Sequence, residues 1–129
     1  MKLLKIEYLI SNLIHTNHMK DLYIKNLDTF MYILMGLKKY EIRKHSNFIN
    51  TIHDGEIIRI HCQSFTTLCK IEEIINFSSL YDVFSNEIEH TDIIPNSTSI
   101  DSAISKYKEY YKNWHNCSFK ALKLNICTI

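Results

Sequence analysis

Short stretches with strand periodicity, interrupted at irregular intervals by helical ones, restrict the fold of this sequence more than any other feature. From Ile57 to Cys62, apolar residues alternate with Arg59 and His61, which is the pattern of a strand with one buried face. The order of elements lacks a repeated β-α-β rhythm, and the glycine-rich turn of dinucleotide-binding folds is missing. We therefore predict an α+β domain whose sheet curls into a small β-barrel with flanking helices.

Capping and turn residues set the expected limits of the elements. Asn26 precedes a helical pattern as a candidate N-cap, and Gly36 follows that pattern where a left-handed residue commonly ends a helix. Two consecutive acids, Glu72 and Glu73, interrupt the alternation of a strand and predict a bulge. In chain order we predict a strand over residues 22–24, a helix over 26–36, strands over 40–43, 57–62 and 66–77, a short helix over 79–87, a polar loop at 95–96, a helix that opens with a capping box at 98–101 and keeps one apolar face to residue 114, and a closing strand over 119–126.

Size, charge and cysteine content limit the number of domains, the partners and the cellular location to be expected. The chain has 129 residues, the usual size of one domain, and its formal net charge of +1 means that a nucleic-acid partner needs a local basic patch. None of the four cysteines forms a Cys-x-x-Cys pair, and the N-terminus lacks a secretory pattern, which favours reduced thiols and a cytoplasmic location. The spacing of histidines and cysteines matches no zinc module, so we predict no metal and no cofactor. The sequence leaves the oligomeric state open.

Residues 1–19 are predicted to form a helical extension, separate from a domain that spans residues 20–129. No apolar run in the chain reaches the length of a membrane span, so a membrane is not an expected partner. The extension is expected to be an amphipathic helix that docks on the domain or on another protein. Its helical spacing comes from four apolar residues, Leu3, Ile6, Ile10 and Leu13.

An eight-residue segment after the first predicted helix carries four residue types at fixed spacing. Gly36, Lys38, Glu41 and Arg43 form the pattern Gly-x-Lys-x-x-Glu-x-Arg. With this pattern, the preceding helix and the Asp54-Gly55 turn before a strand, the chain resembles the ASCH family, a branch of the PUA-like fold. The resemblance covers about residues 20–126. It implies a small PUA-like barrel that binds RNA or a modified nucleoside or nucleotide.

The charged residues of this segment are expected to converge. Glu41 and Arg43 alternate onto one face of a strand, and Lys38 in the preceding turn can lean over that face. Arg43 offers a planar fork for phosphate or base-edge acceptors, while Glu41 can hold both cations in place. With the resemblance, we predict that the three line a solvent-accessible hollow; charge pairing alone would favour a surface ion pair without function. The predicted ligand-binding residues are Gly36, Lys38, Lys39, Tyr40, Glu41, Arg43 and Lys44.

Catalysis is the alternative function that the resemblance implies. Some small bacterial members of the family resemble amidohydrolases of acylated cytidine, which use a lysine, a threonine and a glutamate. Lys38 matches the lysine and Glu87 or Glu89 is placed approximately like the glutamate, before Pro95, but Glu41 stands where the threonine would be. Catalytic residues would then be Lys38, Glu41 and Glu87, although Glu41 favours the protonated form of Lys38 and opposes its use as a base. Two further alternatives are a ribonuclease that uses His45, His53 or His61 as acid or base, and a protein-interaction adaptor that acts through the N-terminal helix.

Overall fold

The computed structural model describes residues 19–127 and places nine helices and strands in that range. The predicted N-terminal helix falls on residues that lie outside the described range. In the described part of the chain, none of the helices is both long and apolar enough to cross a membrane. The elements are β1 (Asp21–Tyr23), α1 (Leu27–Leu34), β2 (Tyr40–Lys44), β3 (Ile57–Cys62), β4 (Phe65–Phe77), α2 (Leu80–Val83), α3 (His90–Ile93), α4 (Ile100–Tyr110) and β5 (Phe119–Ile126), with 3-10 turns at Ile49–Thr51 and Trp114–Asn116.

The five strands form one mixed sheet in the order β1-β3-β4-β5-β2. Strand β1 is parallel to β3, and the other neighbouring strands are antiparallel. The sheet curls into a half-barrel, which confirms the predicted α+β class and the curled sheet. Strands β1 and β2 are the two edge strands of the sheet, and they are not paired with each other.

Both faces of the sheet are buried. One face packs Leu22, Ile60 and Leu122 together with Phe30 of α1. The opposite face packs a second cluster, which includes Ile42 and Phe119 of the sheet and residues of α2, α3 and α4. Burial on both sides explains why the apolar residues of β5 do not follow a single alternating set.

Local signals placed several elements correctly. The side chain of Asn26 accepts a hydrogen bond from the backbone N–H of Thr29 and begins α1. Gly36 has φ +74°, the left-handed conformation expected after a helix end. The predicted bulge is confirmed by a register shift in β4 between Ile71 and Glu73.

The predicted short helix over residues 79–87 was too long. Ser79 begins α2, and the helix ends at Val83. The side-chain amide of Asn86 donates to the carbonyls of Asp82 and Val83, and this satisfies the end of the helix in place of a further turn. The inward positions were correct, since Leu80 and Val83 are fully buried and Phe84 nearly so.

Helix α4 does begin with a capping box, one residue later than predicted, but its predicted C-terminal limit was wrong. The box joins Ser99 and Ser102, each side chain accepting from the other residue's backbone N–H. Helix α4 ends at Tyr110 because Tyr111 adopts an extended backbone, and Trp114 lies in a separate 3-10 turn. The buried stripe is correspondingly narrower than predicted and consists of Ala103, Ile104 and Tyr107, whereas Ile100 and Tyr110 are exposed.

Candidate ligand-binding site

The chain reverses direction between α1 and β2 in a turn that depends on Gly36. The backbone N–H groups of Leu37 and Lys38 both donate to the carbonyl of Tyr32, at 2.9 and 3.1 Å, and the positive φ of Gly36 permits this geometry. The turn carries Lys38 inward ahead of the first residue of β2. In β2, Glu41 and Arg43 then point to the face opposite Ile42.

Lys38, Glu41 and Arg43 form a continuous chain of ionic contacts. The Nζ of Lys38 lies 3.5 Å from Oε1 of Glu41, and Oε2 of Glu41 lies 3.3 Å from Nη2 of Arg43. The same Nη2 donates to the backbone carbonyl of Tyr23 at 2.8 Å. Arg43 therefore bridges the two edges of the half-barrel, from β2 to β1. The predicted convergence of the three charged side chains is confirmed.

The predicted exposure of this group was wrong for two of its members. Lys38 is 4% exposed and Glu41 is 6% exposed. Lys38 donates a 2.6 Å hydrogen bond to the carbonyl of Ile93, at the end of α3, and is covered by that helix. The Arg43 side chain is about a quarter exposed, so it alone of the three reaches solvent to a substantial extent.

Burial changes the acid–base behaviour of the interior residues. Loss of hydration lowers the pKa of Lys38, the carboxylate of Glu41 opposes this effect, and the positive charge of Arg43 adds to it. Burial also raises the pKa of the Tyr107 hydroxyl well above its ordinary value, with a further contribution from the charge of Glu41. Glu41 is therefore the negative charge that contacts both positive charges of the site, Lys38 and Arg43.

An open cleft of about 290 Å³ lies where Arg43 meets β1. Its walls come from the edge strand β1, from Arg43 on β2, and from the segment that leads into the 3-10 turn after β2. Arg43 is the residue that the cleft shares with the ionic chain. The cleft is lined by Asp21, Leu22, Tyr23, Arg43, Ser46, Phe48 and Ile49.

Asp21 brings a negative charge to the cleft, and two neighbours on β3 compensate it. Nε and Nη2 of Arg59 donate to its two carboxylate oxygens at 2.7 and 3.1 Å. Nε2 of His61 lies 2.6 Å from Oδ1 of Asp21. The hydrogen bond from His61 lowers the pKa of Asp21, burial opposes this effect, and Arg59 lowers the pKa further. An anionic ligand beside Arg43 thus meets a carboxylate whose charge is already paired.

Asp21→Asn is expected to change the dependence of stability on pH. Because the pKa of Asp21 is depressed in the folded state, its stabilisation is present above about pH 3.9, the ordinary aspartate value, and is lost as pH falls through the folded pKa. The unfolding free energies of wild type and variant should therefore converge in acid. Urea denaturation at a series of pH values measures the difference. A constant difference down to the acid limit of folding would contradict the assignment.

The remaining predicted site residues do not line the cleft. Lys39 is exposed, with its Nζ 3.7 Å from Oδ1 of Asp92, and Tyr40 packs half-buried against the second core cluster. Lys44 ends β2 and is half-buried, and Glu87 is exposed in the segment between α2 and α3. Gly36 shapes the turn and does not line the cleft.

The proposed ribonuclease histidines do not form a pair. The Nε2 of His45 is buried and has no hydrogen-bond partner among residues 19–127. His53 is exposed in the turn before β3, while both ring nitrogens of His61 are already engaged, by Asp21 and Thr66.

The sequence-based prediction missed the β1 side of the cleft. Asp21 and Tyr23 were identified only as part of a short strand or its surroundings. Their proximity to Arg43 depends on the parallel pairing of β1 with β3 and on the curl of the sheet, which brings β1 near β2. One local signal was available, since Asp21 and Tyr23 alternate with the buried Leu22 and so share a face.

Comparisons with known proteins identify the fold. No family model matches the chain, and no curated protein matches it significantly. The hypothetical protein PH0355 has a similar crystal structure, with a TM-score of 0.68 and 20% identity over 82% of this chain and 96% of that chain. Protein PF0455 from Pyrococcus furiosus has a similar solution structure, with a TM-score of 0.64 and 16% identity over 85% of this chain and 98% of that chain. At these identities the likeness concerns the fold alone.

Proposed function

We propose that this domain is of the PUA-like, ASCH type and binds RNA or a modified nucleotide in the cleft beside Arg43. The spaced pattern from Gly36 to Arg43 supports the family assignment, as does the curled five-stranded sheet that carries it. The observation that carries the functional proposal is the position of Arg43, which is held from behind by a buried carboxylate and faces an open cleft.

Arg43 has donors left for a ligand. Both of its hydrogen bonds to residues 19–127 use Nη2, so Nε and Nη1 remain available for phosphate or base-edge acceptors. Glu41 fixes the orientation of the guanidinium, and Lys38 offsets the charge of Glu41 from the interior side. A bound anion therefore meets a cation that is already oriented, which lowers the entropic cost of binding.

The apolar lining of the cleft favours a nucleotide over a simple inorganic anion. Tyr23 is 66% exposed and Phe48 is 42% exposed, and both line the same cleft as Arg43. Proteins that bind single-stranded nucleic acids use exposed aromatic rings to stack on the bases and nearby cations to contact the backbone.

The burial of Lys38 favours binding over hydrolysis. A catalytic lysine must reach the substrate, whereas the amine of Lys38 is held between the carbonyl of Ile93 and the carboxylate of Glu41. Glu87 makes no hydrogen bond or ion pair with either residue in the part of the chain that the structure describes.

Arg43→Gln is expected to weaken binding of short single-stranded RNA by about 10- to 100-fold, because it removes charge-assisted hydrogen bonds of about 1.5–3 kcal/mol. Fluorescence anisotropy with a labelled eight-nucleotide RNA at constant salt measures the affinity. Lys106→Gln is the matched control, since it removes one positive charge from an exposed site on α4. Equal affinities of wild type and Arg43→Gln, or an equal loss in the control, would refute the proposed site.

A further inference from the structure

Tyr23 has the most exposed large apolar side chain among residues 19–127, yet its ring is held in place. The ring stacks on His61 with centroids 4.9 Å apart and planes inclined by 19°. His61 stacks on one face of the tyrosine, and the residue as a whole is 66% exposed. An exposed aromatic face backed by a second ring is a flat surface available to a planar ligand.

The ring beneath Tyr23 is fixed at both of its nitrogens. Nε2 of His61 lies 2.6 Å from Oδ1 of Asp21, and Nδ1 lies 2.8 Å from Oγ1 of Thr66. Asp21 is in turn held by hydrogen bonds from two nitrogens of the Arg59 side chain, Nε and Nη2. The imidazole therefore has little freedom to rotate, and it restricts the tyrosine that lies on it.

The backbone of Tyr23 is tied directly to the cation of the site. Its carbonyl accepts the 2.8 Å hydrogen bond from Nη2 of Arg43, so the backbone that carries the aromatic ring is held beside the guanidinium. Both residues line the same cleft. A phosphate on Arg43 and a ring on Tyr23 are groups that one nucleotide can supply together.

We propose that Tyr23, supported by His61, is a stacking platform for a single nucleobase whose phosphate binds Arg43. This proposal rests on the proposed nucleotide-binding function and specifies what the ligand must contain. The cleft volume of about 290 Å³ is close to the lower end of ligand sites, about 300–1,000 Å³, and so suits one base rather than several. Because every nucleobase has a stacking face, the platform selects unpaired bases without strong preference for sequence.

Stabilisation of the fold does not account for the arrangement. Tyr23 is two-thirds exposed, so its burial contributes little to the hydrophobic core. The pinned ring instead reduces the conformational entropy that an aromatic side chain loses on binding. Rigid, exposed aromatic residues are typical of binding surfaces.

The test compares two probes that differ only in their bases. One is a labelled eight-nucleotide oligoadenylate, and the other is a sugar-phosphate oligomer of the same length without bases. Tyr23→Ala should weaken binding of the oligoadenylate by about 5- to 160-fold, the range for loss of one stacked base, and leave binding of the abasic oligomer unchanged. Tyr23→Phe should keep the wild-type affinity, because stacking does not require the hydroxyl. Tyr110→Ala is the matched control, since Tyr110 is 62% exposed on α4 and does not line the cleft.

The outcomes separate this inference from the function on which it rests. If Arg43→Gln weakens binding of both probes while Tyr23→Ala weakens neither, the nucleotide site stands and the platform is overturned. An equal loss for both probes in Tyr23→Ala also overturns it, because the effect is then independent of the base. If wild type binds neither probe, the proposed function itself fails. A cleft that binds an aromatic peptide but neither oligomer would assign the same surface to a protein partner and reject the proposal.

Discussion

Glu41→Ala is expected to destabilise the folded protein by about 3–5 kcal/mol, the usual cost of removing one partner from a buried ion pair. Lys38 is 4% exposed and would lose its counter-charge while remaining under α3. Arg43 would lose the carboxylate that orients it, but its partial exposure lets water hydrate the guanidinium. Most of the penalty therefore comes from the interior lysine.

Urea denaturation monitored by circular dichroism measures this loss. Glu109→Ala is the matched control, because Glu109 is exposed on α4 and such substitutions usually change stability by no more than about 0.5 kcal/mol. The midpoint of unfolding should fall while the slope with urea stays constant, since the change acts on stability and not on the extent of folding. Equal stability of Glu41→Ala and the control would show that the interior charges are not coupled.

The elements that the sequence predicted correctly are those with a local cause. Alternation identified β3, the side chain of Asn26 begins α1, and consecutive acids marked the bulge beside Glu73. In each case the decisive interaction joins residues close in the chain or reflects burial of one face. Local patterns of this kind therefore predicted most of the helices and strands.

The errors occur where a tertiary contact sets the structure. Helix α3 has four residues, too few to show a helical period, and no helix was predicted there. Its residue Ile93 is fully buried and supplies the carbonyl that binds Lys38. The end of α2 depends on a side-chain amide from Asn86, which no periodicity reveals.

The candidate site shows the same limit. Spacing in β2 predicted that Glu41 and Arg43 share a face, which is a property of any strand. Whether that face meets solvent depends on the curl of the sheet and on the coverage of Lys38 by α3. The sequence could therefore predict which charges meet but not that two of the three are interior.

Lys38→Met is expected to destabilise the protein by about 1.5–3 kcal/mol, the range for a hydrogen bond that involves a charged group, for two reasons. It leaves Glu41 with Arg43 as its remaining ionic partner, and it removes the hydrogen bond to the carbonyl of Ile93. Methionine has a similar length and keeps the apolar contacts of the lysine stem, so the loss reports the charge and the donor rather than a cavity. Urea denaturation measures it against wild type.

Combining Lys38→Met with Glu41→Ala measures the energy of the contact between the two residues, apart from their interactions with other neighbours. Because the two residues contact each other, the double variant should lose less stability than the sum of the single losses, by about 0.5–3 kcal/mol. Additive losses would mean that the 3.5 Å contact contributes nothing and that each residue acts through other neighbours.

An interior ion pair often stabilises a fold no more than apolar residues of equal size would, so its presence here needs another cause. We infer that the ion pair is retained because Glu41 holds Arg43 at the cleft. RNA affinity should therefore fall in the double variant. The fall should persist at low temperature, where the folded fraction of the variant is restored.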